Sequence, residues 1–533
     1  MTDVEQNKKV PLGRISLIFA CGTALFSDGY ANGVIGSVNT ILRRLYPNEI
    51  DKHDYSRTLS SLAFAGTVVG MLSFGYLSDR FGRKFGMMTA TGIVALFSAL
   101  SAASAGANGS IGGMLAALSA YRFLLGIGVG AEYPCGSVAA SEQSEEEGIS
   151  KKAQHRWFTL ATNSMIDFGF VVSAFVPLVL VWICGTSHLR AVWRLALGLG
   201  VIPAMAVFVW RLRMEEPTRY KEGAMRRKVP YWLIIKRYWP GLCAISFTWF
   251  LYDFIVYPFG IYSSVIVDRV TNGDKALTTV FGWNVVVNLF YMPGTLVGAF
   301  VVDILGPKYT MITGLLFQAL FGFVMSGCYS VLSKNIAGFA VLYGIFLSFG
   351  EFGACCVVLA ALGCALTFCF PSSALDAPLI RRAYVALAAD SGPGNCLGLL
   401  ASKTGPTAVR GQYYGVAAAI GKVGAFVGTW AFPPIIDAFA KRGPDQANTG
   451  PFWVGSGLAI LSAAVTFFFI VPLTHDGMAE EDRQFREYLA ANGYDLSNLG
   501  LSEEDSVGGA STDDLPEKEK AEHEAEVRVA PAA

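Results

Sequence analysis

Apolar residues fall in long runs separated by short polar stretches. A helix needs about 20 mainly apolar residues to cross the hydrocarbon core. Runs of that order cover residues 15–38, 59–77, 86–105, 113–140, 158–184, 192–210, 240–267, 280–302, 310–332, a run starting at Ile336, 412–439 and 452–473. The pattern predicts an all-α polytopic membrane protein with about a dozen spans. Residues 1–9 are polar and no small-residue cleavage site follows the first run, so the N-terminus reads as a cytosolic tail and not as a removed signal.

The loops set the expected orientation. Between the sixth and seventh runs lie Arg211, Arg213, Arg219, Lys221, Arg226, Arg227, Lys228, Lys236 and Arg237, a density of cations that belongs in the cytosol. Arg80, Arg83 and Lys84 fall on the same side, and an even number of spans then places both termini there. The expected divisions are a tail at 1–14, a six-helix bundle at 15–212, a basic linker at 213–237, a second bundle at 238–473 and a tail at 474–533. That last tail is rich in Glu, Asp, Ser and Ala, has one short stretch of apolar periodicity, and is expected to be mostly disordered.

Composition agrees with lipid as the main solvent. Of 533 residues, 53% are hydrophobic and only 15% are charged, against about 25% charged in soluble domains. Lys plus Arg and Asp plus Glu both total 41, so no net field recommends a nucleic-acid partner. The ten cysteines show neither a C-x-x-C pair nor metal-ligand spacing with histidine, and read as small buried hydrophobes. Residues 415–422 have one residue too many for a phosphate loop, and Val423 stands where Ser or Thr is required. No cofactor and no enzymatic chemistry are expected.

The two bundles read as a repeat. Asp79, Gly82 and Lys84 after the second run recur as Asp303, Gly306 and Lys308 after the eighth, and acids flanked by small residues, Glu132 and Glu351, recur in the fourth and tenth. Parallel repeats of this kind enclose a site at the midplane. An ionised side chain there costs at least a few kcal/mol and needs a partner or a function. Asp28, Arg122, Glu132, Asp167, Asp253, Glu351 and Lys422 all fall in or near spans. No histidine lies well inside an apolar run, which leaves carboxylates as proton carriers.

Gly75-Tyr-Leu-Ser-Asp79-Arg80-Phe-Gly82-Arg83-Lys84 resembles the signature loop of the major facilitator superfamily, which implies its twelve-helix fold of two pseudo-symmetric six-helix bundles. Asp79, Arg80, Gly82, Arg83 and Lys84 are then expected to gate, the acid capping a helix end and the bases gripping the facing half. Residues 122–134, Trp249, Asp253 and Tyr257 at four-residue intervals, and Gly421-Lys422-Val423-Gly424-Ala425 resemble the phosphate:proton symporters. Leu25-Phe-Ser-Asp28-Gly-Tyr30, Glu132 and residues 398–403 resemble the fungal glycerophosphodiester permeases within that group.

The resemblance implies a plasma-membrane monomer that imports a glycerophosphodiester with protons, glycerophosphoinositol or glycerophosphocholine being the expected cargo. Lys422, Tyr257, Trp249, Tyr133 and Asp253 are its expected binding residues. Asp253 beside a phosphate repels it unless protonated or paired with Lys422, which suits coupling. Asp28 and Glu132 are expected to relay protons. Arg122, ten residues before Glu132, is expected near the proton path, paired with another acid or near the membrane surface. Asp167 fits either a headgroup contact or a structural hydrogen bond. Inorganic phosphate, a sugar, or signalling without transport are the competing roles.

Residues 354–392 depart from the family pattern, interposing a Cys- and Ala-rich stretch and then Pro371, Pro378, Arg381 and Arg382 between Gly353 and Pro393. Translated intron sequence, a reentrant insertion or a thirteenth helix are the three readings, and only the last inverts everything after it.

Overall fold

The computed structural model describes residues 12–52, 54–146, 148–225, 229–270, 276–351, 394–473, 477–496 and Leu499. The expectations for 1–11, for 354–392 and for the tail from residue 500 lie outside the described residues. Among those described, ten helical stretches are long and apolar enough to cross a membrane. Two more spans bring the number among the described residues to twelve. The first, carrying Ser27, Asp28 and Asn32 in its middle, runs as Leu12–Gly22, a 3-10 turn at Thr23–Leu25, and Phe26–Leu45. The tenth is described as Ile336–Glu351 and Gly394–Lys403.

In the first half the remaining spans are Tyr55–Phe81, Arg83–Ala102, Ile111–Glu132 continued by Val138–Ser144, the pair Gln154–Ala161 and Asn163–Cys184, and the pair Leu189–Gly198 and Val201–Arg211. In the second they are Tyr231–Val270, the pair Leu277–Leu289 and Tyr291–Leu305, Pro307–Gly327, Arg410–Ala440 and Pro444–Phe469. Spans two and four pack on glycine: a Cβ on Gly66 or Gly126 would lie 3.1 Å from the other residue's Cα. Small residues let membrane helices approach this closely where lipid supplies no hydrophobic drive. The halves meet where spans two and eleven, five and eight, and one and seven pack together.

The sequence repeat has a backbone counterpart. Spans two and eight both stop at a glycine with positive φ, Gly82 at 116° and Gly306 at 76°, a conformation that a side chain would strain. Helices also break where the site is built. Pro134 lies in a π turn at Tyr133–Ser137, a local widening frequent at functional sites.

Ile336–Glu351 and Gly394–Lys403 pack on each other and on spans seven, eight and nine. Their 16 and 10 residues correspond to about 24 and 15 Å of helix, together one span. After the interruption, Lys422 faces the interior.

Within the tail expected to be mostly disordered, Gly477–Ala491 is an amphipathic helix that buries Met478, Phe485 and Leu489. Its Glu481 accepts a 2.5 Å hydrogen bond from the Tyr238 hydroxyl. Three apolar positions on one face are too short a signal to stand out in an acidic segment.

A chain with residues 354–392 deleted, joining Gly353 to Pro393, should complete the tenth span and elute as one sharp species in detergent size-exclusion chromatography. Aggregation of the deleted chain, with the full chain monodisperse, would show that the flanking helices are not halves of one span.

Candidate functional site

Five side chains from four spans converge between the halves. Asp28 lies one turn beyond the 3-10 break in span one, and Tyr133 opens the π turn of span four. Asp253 and Tyr257 share one face of span seven through their i,i+4 spacing, and Lys422 comes from span eleven. The Lys422 ammonium donates to the Tyr257 hydroxyl and lies 3.6 Å from Asp28 Oδ2 and 3.5 Å from Asp253 Oδ2. Asp28 Oδ2 accepts from the Tyr133 hydroxyl at 2.6 Å and the Tyr257 hydroxyl at 2.8 Å, and its Oδ1 accepts from Asn32 Nδ2 at 2.6 Å. Asp28, Asp253 and Lys422 are each 1% exposed, so solvent screening is nearly absent. Two carboxylates thus share one ammonium.

A small cavity adjoins this cluster. Tyr133, Phe158, Asn163 and Phe170 line it from one half, and Trp249, Tyr252, Asp253, Tyr257, Tyr414 and Lys422 from the other. Trp249 packs edge-on against Tyr414, with ring centroids 5.6 Å apart, and fits against Gly421, where a Cβ would meet the indole. A cation, hydroxyl donors and aromatic walls suit a small anion with an organic substituent.

Three expected residues lie elsewhere. Glu132 pairs at 2.8 Å with Arg211, and both are buried. Arg211 also donates to the carbonyls of Ala20, Cys21 and Met87, so the first cation of the supposed loop is an internal anchor of spans one, three, four and six. Among the described residues Arg122 pairs with no acid, and it does not reach the surface: it is fully buried and donates to the Ala31 carbonyl at 2.6 Å and the Leu59 carbonyl at 3.3 Å. Asp167 accepts a hydrogen bond from Thr295 of span eight, while Asn163, one turn earlier, is the residue on the cavity wall. Sequence reasoning passed over Asn163, Asn32 and Tyr414. The one available signal was Asn32 four residues after Asp28, a spacing that places both on one helical face. The Glu351 side chain lies outside the described residues.

The signature loop forms a buried charge network at one end. Asp79 accepts from the backbone N–H groups of Gly411 and Gln412 at 2.9 and 2.8 Å, capping span eleven of the opposite half where its N–H groups lack helical partners. Arg83 bonds Asp79 at 2.6 Å and Glu142 at 3.2 Å, and Arg410 of the second half meets the same Glu142 oxygen at 3.2 Å. The repeat does the same in reverse, the Arg156 N–H at the start of span five donating to Asp303 at 3.1 Å. Lys403 and Glu145 add a 2.6 Å pair. The expectation that the loop's bases grip the facing half is therefore corrected, because acids make the crossing. Arg80 is exposed and bonds Tyr76, Lys84 bonds the Leu212 carbonyl of its own half, and Gly82 supplies the turn. Glu216 caps span three through the N–H groups of Arg83 and Lys84. Burial raises its carboxyl above the usual range, and those two N–H groups draw it back. At the opposite end Trp430 Nε1 donates to Ser61 Oγ at 2.7 Å, so both ends are bridged around the cavity.

The sugar (and other) transporter family matches residues 16–228 and 352–485. The chain is 45% identical over 499 residues to the glycerophosphocholine permease GIT4 of Candida albicans, covering 93% of this chain and 85% of that protein. It is 43% identical over 487 residues to the major glycerophosphoinositol permease GIT3 of the same organism, covering 90% and 83%. Among solved structures, the proton:xylose symporter XylE superposes with a TM-score of 0.68 over 89% of this chain and 98% of that one, at 15% identity, which shows a shared fold.

The network carries a mechanical prediction. Asp79→Asn removes the charge that caps span eleven, a contact of the charge-assisted class worth about 2 kcal/mol. A cysteine at Ser402, whose hydroxyl lies 2.9 Å from Ser141 across the halves, should then react with a thiol reagent about tenfold faster or more, in a background cleared of reactive native cysteines. Unchanged labelling would mean that Asp79 does not hold this end shut.

Proposed function

Because the chain belongs to the sugar (and other) transporter family of the major facilitator superfamily, on the branch of the fungal glycerophosphodiester permeases, we propose that it imports a glycerophosphodiester across the plasma membrane together with protons. It is a multi-pass membrane transporter of a small molecule and not an enzyme. The relatives named for glycerophosphocholine and glycerophosphoinositol support the cargo class. The observation that carries the reading is Lys422 held between Asp28, Asp253 and Tyr257 beside the cavity.

The working cycle follows from charge. A phosphodiester monoanion entering the cavity competes with both carboxylates for one ammonium. Three negative charges around one positive charge in a dry site are prohibitive, and a proton taken by Asp253 or Asp28 relieves the repulsion while leaving Lys422 to the phosphate. The hydroxyls of Tyr257 and Tyr133 then turn from the carboxylate to the phosphate oxygens. With the end carrying Asp79 and both termini facing the cytosol, the network around Glu142 is the inner gate. Rocking of the halves opens it, the proton leaves at cytosolic pH, a carboxylate reclaims Lys422, and the phosphate is expelled. Lower external pH thus favours loading.

In this scheme Asp253 and Asp28 carry the coupling. Glu132 is held by Arg211 and braces the first half, Arg122 ties the backbones of spans one and two, and Trp249 and Tyr133 shape the cavity.

In cells lacking their own permeases, uptake of labelled glycerophosphocholine and glycerophosphoinositol should rise severalfold from pH 7 to pH 5 and collapse with a protonophore. Lys422→Ala should abolish it, by about a hundredfold or more for loss of a buried charge-assisted bond. Asp253→Asn should leave slow uptake indifferent to pH, whereas Glu132→Gln should keep the pH profile of the wild type. Wild-type uptake insensitive to pH and protonophore would overturn the coupling, and transport of inorganic phosphate alone would overturn the cargo.

A further inference from the structure

From the cluster at Lys422 the central cavity continues toward the Asp79 end between walls that carry no charge. Asp253 and Lys422 are the only charged residues in its lining among those described. Gly394 and Gly398 line it from span ten, four residues apart and so on one helical face, which presents bare backbone on two successive turns. Ser137 lines it from span four. One turn nearer the end, the same two helices bridge the halves through a 2.9 Å hydrogen bond between the hydroxyls of Ser141 and Ser402. Ser137 and Gly398 each precede a member of that bridge by four residues. Serine therefore stands across from glycine where the next turn sets serine against serine, and the missing side chain leaves a gap.

Packing does not account for Ser137. It is buried, and its hydroxyl makes no hydrogen bond of good geometry among the described residues, a costly arrangement in the absence of a ligand. Across the gap two buried rings close in on span ten: a Cβ at Gly398 would lie 2.9 Å from the Tyr414 hydroxyl and 3.7 Å from Phe158 Cζ. This side of the cavity is a narrow, uncharged slot with a hydroxyl in its wall.

We propose that Ser137, Gly398 and Tyr414 form a subsite for the glycerol arm of the phosphodiester, with the variable headgroup directed away from the Asp79 end. The inference rests on the transport reading above and deepens it by giving a binding site to the alcohol that the whole substrate class shares. Glycerol is slim and uncharged, and its hydroxyls can both donate to and accept from Ser137. Tyr414 and Lys422 lie eight residues apart on span eleven, about 12 Å of helix, a length that suits a phosphate followed by a three-carbon arm. A six-membered polyol ring or a trimethylammonium group is too wide for a slot that one methyl at Gly398 would obstruct. A site built to pair a ligand hydroxyl rejects the analogue that lacks it, because the site's own group is then left unpaired.

The test measures uptake, in cells lacking their own permeases, of a glycerophosphodiester and of its two analogues that each lack one glycerol hydroxyl, with glycerophosphocholine or glycerophosphoinositol as the parent. The ratio of uptake efficiencies within one variant does not depend on expression level. The wild type should prefer the parent over at least one analogue by about fivefold or more, the effect of one neutral hydrogen bond. Ser137→Ala should take both at equal efficiency and keep the pH profile of the wild type. Gly398→Ala should raise KM for the parent about tenfold whichever headgroup it carries. Gly398→Ala/Tyr414→Phe, which removes the hydroxyl that the new methyl meets, should not restore it. A preference absent from the wild type, or unchanged by Ser137→Ala, would overturn the subsite and leave the transport reading standing. A rise in KM confined to the inositol diester would place the headgroup in the slot, and full restoration by Tyr414→Phe would reduce Gly398 to a seat for that ring; either overturns the assignment. Failure of the wild type to take up either diester would overturn the transport reading itself.

Discussion

A single ammonium group in a dry place governs this molecule. Lys422 sits 3.5–3.6 Å from the carboxylates of Asp253 and Asp28, one on span seven of its own half and the other on span one of the opposite half. Its charge therefore joins the halves at mid-membrane as well as marking the place for an anion. Removing either role from an unscreened site leaves buried charge without compensation, which is costly. The surrounding architecture answers to that constraint: the 3-10 break before Asp28 and the π turn at Tyr133 bring polar side chains onto a helix face that unbroken periodicity would have aimed elsewhere.

The charge network at the Asp79 end works by a different rule. There the crossing between halves uses carboxylates on backbone N–H groups, Asp79 on the start of span eleven and Asp303 on the start of span five. A helix N-terminus cannot move off its cap without exposing N–H groups, so each contact is either made or broken. Arg83 and Arg410 share Glu142 between them, and the helix at Gly477–Ala491 adds Asp482 against Arg410 at 3.4 Å. Midplane charge and end caps together make two separate locks, one sensitive to ligand and proton, the other set by backbone geometry.

Much of this was legible before any coordinates. Run lengths gave the spans, the Asp79 and Asp303 loops gave the repeat, and four-residue spacing put Asp253 and Tyr257 on one face with Trp249. What periodicity cannot see is which partner a side chain meets. Glu132 and Tyr133 are adjacent in sequence yet serve Arg211 and Asp28 respectively, because neighbours on a helix point to different sides. Asn163 and Asp167 share one face of span five, yet Asn163 lines the cavity while Asp167, one turn further on, meets Thr295. Arg211 looked like a loop cation since it follows the last apolar residue of its span, but a long side chain at a helix end can fold back to a buried acid. Partners distant in sequence, such as Glu142 and Arg410, leave no local trace.

If one lysine truly serves two carboxylates and a phosphate in turn, ligand binding must change the protonation of the cluster. Calorimetric titration of the purified transporter with its phosphodiester, repeated in buffers of different ionisation enthalpy, measures that change directly. The account predicts uptake of about one proton per ligand bound near neutral pH. Binding heats that do not depend on the buffer, with no proton taken up, would contradict it.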